Sequence, residues 1–361
     1  MTSSSTPIRV LLVDDSPVAL AVLKRLLATS TDIEVVGTAP NGKEALEMIP
    51  RLKPRVICTD YLMPVMDGLE FTRQVMAEYS CPILVISSTV RPDNTDRVFP
   101  LLEAGAVDVF PKPGNALDAD GHIARQLVKK IKLISQVPVV TRRAKSTPFT
   151  RQGSTPAAHT GTFPRPRASA SAAVQIVAVG ASTGGPQVLQ TILGRLPANY
   201  PVPILCVQHI SAGFLQGLVD WLSSQCALKV EIARPGEAPR AGTIYFPPEG
   251  KHLEIDASGL MTASLKPPVD GHRPSVTHTF QSVAQQFGSA AVAVLLTGMG
   301  RDGADGMLSI AEAGGVTIAQ NEASCVVFGM PRQAIELAAA RYVLPPVEIV
   351  EKLLDLTLMS K

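Results

Sequence analysis

The sequence predicts an α/β protein: an N-terminal doubly wound (βα)5 domain and a C-terminal three-layer α/β domain with a largely parallel sheet. Three observations lead there. Short apolar runs alternate with helix-period stretches at both ends of the chain. Several of those runs stop at glycine-rich or acidic corners, the mark of a strand-to-helix turn. Between the two ends, residues 138–173 are rich in Pro, Ser, Thr, Ala and Arg and have few large apolar side chains, which predicts a flexible linker separating domains at 1–137 and 174–361.

Composition narrows the functional classes. A chain of 361 residues with 46% hydrophobic and 18% charged residues has enough apolar material for two cores, which excludes disorder throughout. No apolar run approaches the roughly 18 residues of a membrane span, and the start MTSSSTP lacks the regions of a signal peptide, so a cytoplasmic protein without membrane insertion is expected. Five scattered cysteines form no CxxC pair and suggest neither zinc nor disulfides. The net charge of +2 divides as −1 over residues 1–137, +6 over 138–173 and −3 over 174–361. A solubilising linker is the simpler reading of those six charges, so nucleic acid is not an expected partner.

In the first domain, strands are predicted at residues 8–13, 33–36, 56–58, 83–86 and 107–110, with helical patterns at 17–28, 43–49 and 69–77 between them. Ligands of such a sheet gather at the carboxyl ends of its strands. Those ends carry Asp14 and Asp15, Asp60, Ser87 and Lys112. Taken singly, each is explained as a helix cap, a turn residue or a solvated lysine. Three carboxylates on one rim, however, repel unless a cation joins them, and an oxygen-rich pocket suits Mg²⁺. The set therefore points to phosphoryl transfer, with Asp60 as nucleophile, Asp14, Asp15 and Asp60 as metal ligands, and Lys112 and Ser87 on the phosphoryl oxygens. The stretches VDDS (13–16), DYLMPVMDG (60–68), VISS (85–88) and Lys112-Pro113 make this region similar to response-regulator receiver domains. The resemblance implies that Asp60 is the phospho-acceptor, Ser87 the switch hydroxyl, Lys112-Pro113 a cis bond and a histidine kinase the phosphodonor. Val109 stands where many receivers have an aromatic switch residue, with Phe110 adjacent.

The second domain opens with VQIVAVGASTGGPQVL (174–189), a strand, a tight turn and a helix, which leaves Ser182 at a strand end among helix-start N–H groups. A helix (188–195), a strand ending at His209, a helix (214–225) and short strands (242–246, 252–255, 260–265) resembling a β-hairpin insertion follow. A helix (276–287), the strand AVAVLL, the corner TGMGRDGADG holding Asp302, a strand (316–319) and helices at 331–337 and 347–358 complete the pattern. The first corner fits a nucleophilic serine or a phosphate loop. GASTGG is not GxGxxG, no Gly-Lys-Ser/Thr follows it, and the second strand ends in His209 instead of a ribose-binding acid, so phosphate binding loses ground. Ser182, His209 and Asp302 form a nucleophile, base and orienter set on three strand ends. Spacing alone leaves the structural alternatives open: Ser182 or Thr183 capping the helix near Pro186, a strand-end histidine, and Asp302 as the N-cap before Gly303. Of the other histidines, His122 and His159 lie outside the domain, and a zinc site from His272 and His278 lacks further ligands.

GASTGGP (180–186), QHI (208–210), HRPSV (272–276), LLTGMGRDGADGM (295–307) and AQNEASCVVFGMPR (319–332) make this domain resemble the catalytic domain of chemotaxis protein-glutamate methylesterases, the CheB family. The resemblance implies that Ser182 attacks glutamyl methyl esters of chemoreceptors, with His209 as base, Asp302 as its orienter, backbone N–H groups of Thr183 or Met299 at the oxyanion, and no cofactor for the ester chemistry. It also implies glutamine deamidation and inhibition by the unphosphorylated receiver. Two departures, Thr277 after HRPSV and PPEGKH at 247–252, are expected to alter substrate contacts without touching the triad. A transcriptional regulator is the rival reading, disfavoured by the acidic second domain and the lack of a helix-turn-helix pattern. A catalytically inactive receptor adaptor is distinguished from the enzyme by assay.

Overall fold

The computed structural model describes residues 6–87, 98–113, 121–137 and 173–358. The linker expected at 138–173 lies, apart from its last residue, outside the described residues, as do Ser88 and His159.

The N-terminal unit contains strands β1 (Ile8–Val13), β2 (Ile33–Ala39), β3 (Val56–Thr59), β4 (Ile83–Ser87) and β5 (Asp108–Pro111). They form a parallel sheet in the order β2-β1-β3-β4-β5. Helices α1 (Pro17–Leu27), α2 (Gly42–Leu52), α3 (Gly68–Glu78), α4 (Phe99–Ala104) and α5 (His122–Ile134) alternate with them. Local chemistry sets the starts of the first three helices. Ser16, Asn41 and Asp67 each accept a hydrogen bond from an N–H three residues on, and Pro17 has no N–H to leave unpaired. Alternation along β1 then divides the core, with Val10 and Leu12 meeting α1 and α5, and Leu11 and Val13 meeting the α2, α3 and α4 side.

The C-terminal unit has seven parallel strands in the order β14-β13-β12-β6-β7-β9-β8. They are β6 (Ile176–Ala181), β7 (Ile204–Gln208), β8 (Lys229–Ile232), β9 (Thr243–Phe246), β12 (Ala291–Leu295), β13 (Val316–Gln320) and β14 (Tyr342–Leu344). Helices α6 (Gly185–Leu193), α7 (Leu215–Gln225) and α11 (Pro346–Leu358) cover one face. Helices α8 (Val276–Phe287), α9 (Ala304–Glu312) and α10 (Met330–Glu336) cover the other, giving three layers. The antiparallel pair β10 (His252–Ile255) and β11 (Met261–Ser264) is the expected hairpin. The stretch before it is not part of that insertion, because β9 pairs with β7 and β8 and so widens the main sheet.

The units meet where α4 packs on α6 and α7. Phe99 stacks on Trp221 at 5.4 Å, Trp221 Nε1 donates to Glu103 Oε1 at 2.9 Å, and Gln187 Nε2 donates to the Ala106 carbonyl at 2.8 Å. The cis bond expected at Lys112-Pro113 is not found; among the described residues the cis peptide is Arg273-Pro274. All five cysteines are free, and among the described residues no helix is long and apolar enough to cross a membrane.

Candidate active site

Sheet register brings the three candidate catalytic residues together. Ala181 pairs with Gln208 and Gly180 with Leu295, so Ser182 and His209 leave adjacent strand ends side by side while the chain after β12 returns beside them. His209 N donates to the Ala181 carbonyl at 2.9 Å, and Ser182 N to the Thr297 carbonyl at 3.0 Å. The turn into α6 needs Gly184 at φ 77°, and it makes Gly184 the N-cap with no side-chain cap at all. Ser182 and Thr183 are therefore not capping residues.

Asp302 is not the cap of α9 either, since Gly303 holds that position. Its carboxylate, 1% exposed, instead receives the start of α8: Ser275 Oγ donates to Oδ1 at 2.7 Å, Thr277 N to Oδ1 at 2.9 Å and Val276 N to Oδ2 at 2.8 Å. His209 Nε2 completes the set at 2.8 Å from Oδ2. Burial alone would raise the Asp302 pKa, but the bonds from His209, Ser275 and Thr277 hold it well below the usual carboxylate range. A charged Asp302 facing Nε2 fixes the proton there. Nδ1 is left as the acceptor, buried and without a partner among the described residues. Ser182 stands at the neighbouring strand end, and no hydrogen bond joins it to this nitrogen.

Further residues hold this geometry. Gln208 Nε2 donates to both the Ser182 and the His209 carbonyls at 2.8 Å each, clamping the nucleophile turn to the base. Thr297 Oγ1 donates to the Thr183 carbonyl at 3.0 Å and accepts from Val327 N at 2.9 Å. The Met299 loop presses on the nucleophile: a Cβ on Gly298 would stand 2.7 Å from Ser182 Cβ. The His272 ring lies parallel to that of His209, centroids 3.9 Å apart, where burial and then the neighbouring His209 ring push its pKa down to about 4. Thr277 corrects the expectation that this departure leaves the triad untouched, because its N–H bonds Asp302 and its Oγ1 accepts from Gly303 N at 2.7 Å. Gln208 and Ser275 stood within QHI and HRPSV, but nothing in the sequence names their partners.

In the N-terminal unit, Asp14, Asp15 and Asp60 each bring an oxygen within 4.8 Å of the others. Lys112 Nζ lies 2.7 Å from both Asp14 Oδ2 and Asp60 Oδ2. Burial raises the Asp60 pKa despite the lysine beside it. Burial would lower that of Lys112, but its two carboxylate partners raise it. Three hard oxygen donors around one point fit a divalent cation of the Mg²⁺ type. Ser87 ends β4, and its carbonyl accepts from Lys112 N at 2.6 Å, which places both on the rim expected for the phosphoryl group.

Known proteins agree with this two-part reading. Residues 177–353 match the model of the CheB methylesterase family, and residues 10–123 that of the response regulator receiver domain. The chain is 41% identical over 356 residues to protein-glutamate methylesterase/protein-glutamine glutaminase 1 of Syntrophus aciditrophicus (strain SB), covering 97% of this chain and 98% of that one. The like-named protein of Nitrosospira multiformis is 40% identical over 350 residues, 97% of each. The crystal structure of the Thermotoga maritima CheB methylesterase catalytic domain, 40% identical, superposes with a TM-score of 0.50 over 51% of this chain and all (100%) of that one. With a receiver unit ahead of a Ser-His-Asp strand-end site and relatives matched along nearly its whole length, the chain belongs to the CheB methylesterase family of protein-glutamate methylesterase/protein-glutamine glutaminases.

Proposed function

We propose that the chain hydrolyses methyl esters of glutamyl side chains on chemoreceptors, and deamidates receptor glutamines, through Ser182, His209 and Asp302. The observation that carries this reading is the His209–Asp302 bond beside a serine with no capping duty. Ser182 Oγ attacks the ester carbonyl while His209 Nδ1 takes its proton; the same proton goes to the leaving methoxide as the acyl-enzyme forms. Water, deprotonated by His209, then releases glutamate and restores Ser182. The N–H of Thr183, next to Ser182, and that of Met299, next to the Gly298 that abuts the Ser182 side chain, would serve the oxyanion and make no hydrogen bond to other described residues; each such donor is worth about 3 kcal/mol of transition-state stabilisation. Ammonia replaces methanol as leaving group in the deamidation, and neither reaction needs a cofactor.

Regulation belongs to a receiver domain over 1–137, and catalysis to a domain over 174–361, both in the cytoplasm. Asp60 accepts phosphate from a histidine kinase, with Lys112 and Ser87 on the phosphoryl oxygens. Asp14, Asp15 and Asp60 would hold Mg²⁺, which spreads phosphoryl charge. A cleft of about 620 Å³ is lined on the receiver side by residues that include Arg125, Lys129 and Lys132 of α5, and on the catalytic side by Met299, which supports a receiver that limits access until Asp60 is phosphorylated. Methanol release from methylated receptor tests the reading: Ser182→Ala is expected to abolish it, and a small phosphodonor with Mg²⁺ to raise it in the parent but not in Asp60→Asn. Undiminished release by Ser182→Ala refutes the triad; equal rates in all states refute the regulation.

A further inference from the structure

The bonds that orient Asp302 extend one residue beyond the groups given a catalytic role. Strand β10 carries His252 into the interior under the first turn of α8, at 0% exposure. Its Nδ1 accepts the Ser275 N–H at 3.2 Å, and its Nε2 donates to the Pro267 carbonyl at 3.2 Å. The ring therefore ties the start of α8 to the segment after β11. Ser275 is where the two networks join. Its N–H is held by His252, and its Oγ accepts from His278 N at 3.2 Å while donating to Asp302 Oδ1. The next two N–H groups, of Val276 and Thr277, end on the same carboxylate.

We propose that His252 is a positioning residue of the esterase: by gripping the Ser275 N–H it sets the first turn of α8 so that three donors converge on Asp302, which in turn fixes the ring of His209. The inference rests on the reading of Ser182, His209 and Asp302 as the catalytic triad. An apolar side chain of similar volume would fill the space but leave a buried N–H unpaired where the alignment of Asp302 begins. The ring must be neutral with its proton on Nε2, because a proton on Nδ1 would oppose the Ser275 N–H. Its surroundings favour that form. Burial and the His278 ring on α8, 4.5 Å away, lower its pKa, against opposition from Glu254 on its own strand and the carbonyls of Pro267 and Lys266. The Lys266 ammonium is itself engaged by Glu254 at 2.7 Å.

The test uses full-length protein and methanol release from methylated receptor, with Ser182→Ala run in parallel. His252→Leu is expected to lower kcat at least tenfold with KM unchanged. His252→Asn, which keeps an acceptor near the Nδ1 position, is expected to stay within threefold of the parent. In the parent, ¹⁵N-histidine NMR at pH 7 is expected to show His252 as the neutral Nε2–H tautomer. An active Ser182→Ala removes the triad reading and this inference with it. With Ser182→Ala inactive, the positioning role alone is overturned by any of three results: an unaltered kcat in His252→Leu, a kcat in His252→Asn down more than tenfold, or an Nδ1–H or charged ring in the parent. Should His252→Leu not fold, the tautomer and the Asn variant decide the matter.

Discussion

Replacing Asp302 with asparagine removes charge while nearly preserving shape, and the structure sets what that change does. Oδ1 receives Ser275 Oγ and Thr277 N, whereas Oδ2 receives Val276 N and His209 Nε2. An amide oriented with its oxygen at the Oδ1 site keeps the first pair but turns an NH₂ toward Val276 N–H, donor against donor. The opposite orientation makes the same conflict with Thr277 N–H. One buried donor is lost either way, and the remaining bonds lose their charge, so Asp302→Asn is expected to lower stability by about 2–4 kcal/mol. The effect on chemistry is larger. An amide NH₂ facing His209 makes Nε2 an acceptor and moves the ring proton to Nδ1, the atom that must accept from Ser182; for a triad in the wrong tautomer kcat falls by about 10³–10⁴. Methanol release under saturating receptor gives the first number and urea unfolding the second. A variant with kcat within tenfold of the parent, or one whose defect is confined to KM, would show that Asp302 does not set the tautomer of His209.

Three further outcomes are expected. Gln208→Met removes both clamp bonds at similar volume, and should cut kcat about 10-fold to 100-fold with KM little changed and cost about 1–2 kcal/mol in urea unfolding; Gly185→Ala, whose Cβ collides with the Gln208 amide oxygen, should imitate it in the same two assays. His272 gives a pH signature. Its pKa falls from 6.5 to about 4 on folding, so between those values the unfolded chain takes up a proton that the native one refuses, and stability declines as pH falls. The full shift would correspond to at most about 3 kcal/mol, less for a ring partly in contact with water; His272→Phe, which keeps a flat ring on His209, should shrink the difference between urea midpoints at pH 7 and pH 4.5, and an unchanged difference would count against the assignment. Finally, Trp221 is the sole tryptophan and stacks on Phe99 at the junction of the units, so a phosphodonor with Mg²⁺ should change its emission in the parent and leave Asp60→Asn unaltered.

Periodicity made most elements legible because long, strongly patterned segments such as α8 announce themselves; its bounds, 276–287, match the expected ones. The short sheet-edge strands did not. β8 has four residues and β14 three, too few for alternation to register, and the interior β9 reads locally as part of a hairpin because only its tertiary partners, β7 and β8, separate an insertion from a strand of the main sheet. The strand-end site was visible as residue types, but its connections were not. Asp302 looks locally like a cap for the helix that follows it, whereas its three donors at the start of α8 lie 25 to 27 residues earlier in the chain and His209 lies 93 residues earlier. The same distance hid the part played by Thr277, whose contribution to Asp302 is a backbone N–H that no residue type advertises.

The aromatic switch position bears on how the proposed regulation would reach the esterase. Val109 and Phe110 are both buried, 2% and 3% exposed, and as neighbours on β5 they face opposite layers. Val109 belongs to the cluster that includes Phe99 and Leu102 of α4, and Phe110 to that of α1 and α5, so Phe110 cannot substitute for a missing aromatic on the α4 side. Both layers touch the catalytic unit. Through α4, Phe99 reaches Trp221; the α1 and α5 cluster packs against Val326, whose side chain also fills the space over Gly184 in the nucleophile turn. A valine has no ring to rotate, so among the described residues a movement at the Ser87 and Lys112 rim is expected to pass through these packed layers, which shift as bodies. Under the proposed regulation, displacing the receiver as a body would break the Trp221 contact and uncover Val326 together, so the fluorescence change expected at Trp221 should accompany greater access to the turn that carries Ser182.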